Sequence, residues 1–158
     1  MSIKSFVPTE KMVNMSLFIS SLASVFLAID DDHQVYLTKE FHYAVGRDSI
    51  EAVSGGVEPD EDPDLTAQRE LQEELGLEAS NWTFLTTVDP FTTIMSSPTR
   101  LYLATGLSDV ETNPEGTEQI ELFKCSLDKA VEMVNCGEIT HAPSCVAILM
   151  VASKIAEK

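Results

Sequence analysis

Residues 54–77 read SGGVEPDEDPDLTAQRELQEELGL, and the fold turns on this stretch. Asp62 followed by Pro63 reads as a helix start. An aspartate oxygen can accept a first-turn N–H, and proline at the first helical position gives up an N–H that has no partner anyway. Gly76 reads as the stop. Glu70, Glu73 and Glu74 then fall in the C-terminal half of the helix. The helix dipole disfavours carboxylates there, and like charges at i,i+3 and i,i+4 repel. Ala67, Leu71 and Leu75 form the stripe that faces a core. With Glu70 at zero, Glu74 lies at about +40° and Glu73 at about −60° on the wheel, a second face beside that stripe. Arg69 projects next to Glu73, so it is expected to partner Glu73 and leave Glu70 and Glu74 as an exposed pair. Two readings stand. One is a solvated acidic face. The other is a set of oxygen ligands for a hard divalent cation, which would remove both the repulsion and the dipole penalty.

Outward from this helix the pattern is one of strands and two further helices. Residues 22–29 (LASVFLAI) are a continuous apolar run of strand length, followed by the acidic turn Asp30-Asp31-Asp32 and the loosely alternating 34–41 (QVYLTKEF). The pair reads as a hairpin. A short strand over 49–53 leads into Ser54-Gly55-Gly56, read as a break where the backbone turns tightly. Strands are expected at 82–88, 100–107 and 119–125. Ser126 caps a helix from Leu127 to about Asn135, stopped by Gly137, and the last helix opens at Pro143. Strands mixed with three helices predict an α/β domain, a mixed β-sheet covered on both faces. No repeat or linker divides residues 1–158, which read as a single domain with 1–20 as an N-terminal lead segment.

Composition narrows the partners. Ten Lys and Arg stand against 26 Asp and Glu, a formal charge of −16 over 158 residues. That field repels nucleic acid polymers, which need clustered basic residues, and anionic membranes. A small phosphate ligand remains compatible if metal cations bridge the charges. Cys125, Cys136 and Cys145 lack the paired short spacing of a zinc site and fit a reducing compartment. The apolar segment Met12–Ile29 is interrupted by Asn14 and serines and ends in three aspartates, too broken for a spanning helix or an export signal. The chain is expected to be cytoplasmic.

The residues flanking the helix carry a resemblance. Gly55, Glu61 and the run Arg69-Glu70-Leu71-Gln72-Glu73-Glu74-Leu75-Gly76-Leu77 match G-x5-E-x7-R-E-U-x-E-E-x-G-U at every defined position, U being a bulky aliphatic. The segment resembles the Nudix box of the Nudix hydrolases, a likeness that implies an αβα sandwich. It further implies Mg²⁺-dependent hydrolysis, with Mn²⁺ as an alternative metal, of a nucleoside diphosphate linked to a further moiety. Carried over by position, Glu70 and Glu74 are the main metal ligands. Glu73 makes a further contact, and Ser54 offers a backbone carbonyl to metal. Glu61 and Arg69 hold the loop and helix in place, with Gly55 and Gly76 as motif glycines.

A narrower likeness is to the ADP-ribose pyrophosphatase branch. It rests on Glu51-Ala52-Val53-Ser54-Gly55 where that branch has E-L-P-A-G, on Ser97-Pro98 ahead of RLYLATGL, and on GTEQIEL followed by LDKAVEMVNCGEI and THAPSCVAIL. Val53-Ser54 replaces Pro-Ala, and the N-terminal part is short for a branch that often carries a small β-domain used in dimerisation. A homodimer is left open. In that branch a glutamate of the loop before the late strand serves as base or additional ligand. Here Glu118 matches the ligand position, and Glu115 lies near that of the base. The expected substrate is ADP-ribose or a related nucleotide sugar, cleaved to a nucleoside monophosphate and a sugar phosphate. The alternatives are a nucleoside triphosphate pyrophosphohydrolase and a non-catalytic nucleotide-sensing domain. His33, His42 and His141 are scattered without ligand spacing. Arg47, Phe91, Arg100 and Tyr102 could contact phosphate or base, but their types alone assign no role.

Overall fold

The structure is a computed structural model that describes residues 18–19, 22–57, 60–92, 95–110 and 120–157. Strand β1 (Phe18–Ile19) pairs in parallel with β6 (Met95–Ser96). The main sheet contains β2 (Ala23–Ile29), β3 (Gln34–His42), β4 (Arg47–Gly56), β5 (Leu77–Val88), β7 (Thr99–Asp109) and β8 (Glu121–Ser126), in the order β5-β7-β2-β4-β3-β8. The β2–β7 pairing is parallel and the others are antiparallel, so the sheet is mixed. The helices are α1 (Pro63–Leu75), α2 (Leu127–Cys136) and α3 (Ala142–Ala156).

The apolar run Val25–Ile29 of β2 is explained by its place inside the sheet, covered on both faces. Val25, Leu27 and Ile29 point into a core shared with Leu127, Ala130 and Met133 of α2 and Ala147, Ile148 and Val151 of α3. Phe26 and Ala28 point the other way, against Ala67 and Leu71 of α1 with Val53 and Leu77. Alternation of side chains along one strand thus builds the two helix layers of the expected αβα sandwich.

Three sequence expectations are corrected. The β2–β3 hairpin pairs only at Ala28↔Tyr36 and Ile29↔Val35; beyond that β4 inserts between the two strands. Ser54-Gly55-Gly56 is strand rather than a break, since each pairs with β2, at Val25, Ser24 and Ala23 respectively. β5 begins at Leu77 instead of residue 82, directly after the helix stop. Among the described residues no helix is long and apolar enough to cross a membrane.

Candidate active site

The start of α1 is tied down from several sides. Asp62 accepts the Asp64 N–H at 3.0 Å, and Ser24 of β2 donates its hydroxyl to the Pro63 carbonyl at 3.0 Å. Tyr102 of β7 donates its hydroxyl to Asp64, whose Oδ1 also lies 3.1 Å from Arg100 Nη2. At the far end Gly76 adopts φ 62°, a left-handed conformation that glycine tolerates without strain. Its N–H bonds the Gln72 carbonyl at 3.0 Å, and its own carbonyl accepts the Val110 N–H at 2.9 Å.

Held this way, α1 lays Glu70 over β4 at Gly55. A Cβ at Gly55 would collide with the stem and carboxylate of Glu70. Close approach is therefore what requires glycine here, within a strand. Ser54 adjoins it on β4 and is exposed.

Arg69 occupies the middle of the acidic cluster. Its Nε lies 3.1 Å from Glu61 Oε1, and its Nη1 lies 2.9 Å from Glu70 Oε1 and 2.8 Å from Glu73 Oε2. The expected pairing with Glu73 is present. The expectation that Glu70 stays exposed and apart from Arg69 is overturned, because Glu70 retains 14% exposure and shares the same guanidinium nitrogen. A helical projection shows only the helix. It omits the loop that brings Glu61 and the sheet that buries Glu70. Glu74, one turn beyond Glu70, is half-buried.

One cation among three carboxylates leaves negative charge in surplus. Burial pushes the Glu70 carboxyl above its usual range; the Arg69 guanidinium pulls it back, while Glu73 and Glu61 add to the rise. Arg69 itself is held protonated chiefly by its hydrogen bond to Glu61. Among the described residues no three acids, histidines or cysteines already converge as a metal cage. The donors nevertheless suit a hard divalent cation, for they are carboxylate oxygens, and one of them, Glu70, is partly buried with its charge under-compensated. Arg69 Nη1 contacts Glu70 through Oε1, and the carboxylate has a second oxygen able to accept a cation. Glu115 and Glu118 lie outside the described residues.

Two groupings were not found by sequence reasoning. Arg100 packs over Phe84 and Tyr102, 5.1 and 5.5 Å from their ring centres, while pairing with Asp64. The clue was available, as Arg100 and Tyr102 alternate onto one face of β7. Elsewhere Glu51 Oε1 lies 3.2 Å from His42 Nε2 and Glu51 Oε2 lies 3.1 Å from His141 Nδ1. His141 Nδ1 is also 2.8 Å from Ser144 Oγ, which accepts the Ala52 N–H at 2.8 Å. These residues are far apart in sequence, and only strand pairing and the packing of α3 bring them together.

A family model of the NUDIX domain matches residues 21–143. The chain is 31% identical over 132 residues to an ADP-ribose pyrophosphatase of Mycobacterium tuberculosis, covering 82% of this chain and 64% of that protein. It is 30% identical over 124 residues to an ADP-ribose pyrophosphatase of Bacillus subtilis, covering 77% of this chain and 67% of that protein. It thus spans about two thirds of the length of these relatives. A crystal structure of an ADP compounds hydrolase superposes with a TM-score of 0.77 at 21% identity, covering 86% of this chain and 73% of that one, a likeness of fold. With the family model running from the lead into β2 as far as the start of α3, the chain belongs to the NUDIX domain family.

Proposed function

We propose that the protein is a Mg²⁺-dependent diphosphatase that hydrolyses ADP-ribose or a related nucleotide sugar to a nucleoside monophosphate and a sugar phosphate. The observation that carries this reading is the cluster of Glu61, Glu70 and Glu73 around Arg69, set against Gly55 on β4. The similarity to two ADP-ribose pyrophosphatases supports the choice of substrate class. A bound divalent cation would neutralise the diphosphate oxygens and acidify a water.

The chain's own residues do the rest. Glu70 and Glu74 would hold the cation, and Glu73 would add a further contact. The Ser54 carbonyl and Glu118 would be further ligands, with Glu115 as the candidate base. Arg69 keeps three carboxylates at fixed separation, and the ties at both ends of α1 keep that helix in register with β4. Water gives a proton to the base as its oxygen bonds one phosphorus, and the P–O bond to the bridging oxygen breaks, leaving its electron pair on the departing phosphate. The free thiols Cys125, Cys136 and Cys145 support a reducing, cytoplasmic setting.

The test is turnover of a nucleotide-sugar panel with Mg²⁺. The expected products are a nucleoside monophosphate and a sugar phosphate, and Glu74→Gln should lower kcat by about 100-fold or more. Release of inorganic pyrophosphate from nucleoside triphosphates in preference would replace this reading with the triphosphatase one. Tight Mg²⁺-dependent binding without turnover would indicate a sensor.

A further inference from the structure

A cavity of about 340 Å³ lies between α1 and the N-terminal half of β5, within the roughly 300–1,000 Å³ range of small-molecule pockets. It sits on the flank of α1 away from Glu70. With Glu70 at zero on the wheel, Gln68 lies at about +160° and Gln72 at about −160°. Leu71, Ala79 and Trp82 give the cavity an apolar wall, and Gln68, Gln72 and Glu78 bring two amides and a carboxylate. Trp82 is partly buried and makes T-shaped contacts with Phe26 and Tyr102, ring centres 5.5 and 6.4 Å apart. Gln72 Nε2 reaches Glu78 Oε1 at 3.3 Å, and Gln68 Nε2 reaches the Asp64 carbonyl at 3.4 Å. Both bonds are long and both amides are exposed, so a ligand with better geometry displaces them at little cost.

We propose that this cavity binds the base of an uncharged nucleoside, as a site separate from the carboxylate cluster. The chemistry of the wall selects that class. Trp82 offers an aromatic surface to a planar ring. Each glutamine amide presents a donor and an acceptor, the pattern carried by the edge of a base, and Glu78 accepts from a ring N–H or an amino group. Charge favours the nucleoside over the nucleotide. Among the described residues Arg69 is the cation of this lining, and its guanidinium is committed to Glu61, Glu70 and Glu73. With Glu78 in the wall and −16 on the chain, a phosphate group is repelled. The inference is independent of the proposed activity.

Trp82 is the chain's one tryptophan, so its fluorescence reports directly on the cavity. The test titrates the full chain, without Mg²⁺, with adenosine, guanosine, cytidine and uridine and with the 5′-monophosphate of each, and follows both fluorescence and heat. At least one nucleoside should give a saturable change below about 10 mM, and its 5′-monophosphate should bind about tenfold more weakly. Gln72→Ala and the cavity-filling Ala79→Leu should each weaken nucleoside binding at least about fivefold with an unchanged circular dichroism spectrum. Glu74→Gln should leave it unchanged. No saturable signal from any nucleoside would overturn the proposal. So would a 5′-monophosphate that binds as tightly as its nucleoside, or binding indifferent to both Gln72→Ala and Ala79→Leu. An effect of Glu74→Gln as large as that of Gln72→Ala would place the ligand at the carboxylate cluster and would also overturn it.

Discussion

Arg69 is one guanidinium shared by Glu61, Glu70 and Glu73, and the arrangement depends on Glu70 coming closer to the sheet than any side chain on β4 would permit. Gly55 supplies that room. Gly55→Ala should push the Glu70 carboxylate off its place. The side chain can move, so the fold should tolerate the change better than the chemistry does. The expected outcome is a fall in kcat on the order of 100-fold, the scale of an ångström-level misplacement, with a melting temperature lowered by only a few degrees or so. Kinetics and calorimetry on the same preparation check it, and an activity loss no larger than the stability loss would contradict it. At this scale the sequence was legible wherever a role is local. Asp62, Pro63 and Gly76 cap α1 as their types demand. The partners of Arg69 were only half legible, because Glu61 enters from a loop and the burial of Glu70 comes from the sheet.

Among the elements, β4 does most to connect the site to the rest of the fold, and it was the element least well read. Its glycines look like a turn in one dimension; pairing with β2 makes them strand. The same strand carries Glu51, which joins His42 at the end of β3 to His141 at the start of α3. Arg47 reaches Thr140 in the same region at 2.9 Å. Burial holds the His141 imidazole below its ordinary pKa of 6.5; Glu51 opposes that shift and His42 reinforces it. The unfolded chain therefore binds the His141 proton more readily in the window just under pH 6.5. Stability should fall as pH drops from 6.5 towards the depressed folded value, with a slope of at most about 1.4 kcal/mol per pH unit for one proton. Urea unfolding at stepped pH, wild type against His141→Gln, isolates the contribution from the carboxylates titrating below it. The substituted protein should lose less stability across that window, and identical slopes would refute the assignment.

At the scale of the whole molecule, the layered architecture follows from β2: one strand with apolar side chains on both faces calls for helices on both sides, and that was readable before any coordinates. Strand order was not readable, since the insertion of β4 between β2 and β3 is a matter of which edges meet. The charge of −16 was readable, and its consequence separates the two original accounts of the acidic helix. Any salt screens general self-repulsion, whereas a specific site responds to the identity of the cation. Mg²⁺ at 100 times its dissociation constant would add about 2.7 kcal/mol of stability by binding linkage. For a chain of this size that corresponds to roughly 5–10 °C in melting temperature. NaCl at matched ionic strength should give a smaller rise. The increment specific to Mg²⁺ should vanish in Glu70→Gln and shrink in Glu74→Gln, while the NaCl increment survives in both. Equal shifts from the two salts would mean that the carboxylates of α1 form a solvated face, and the metal-dependent reading would fall with them.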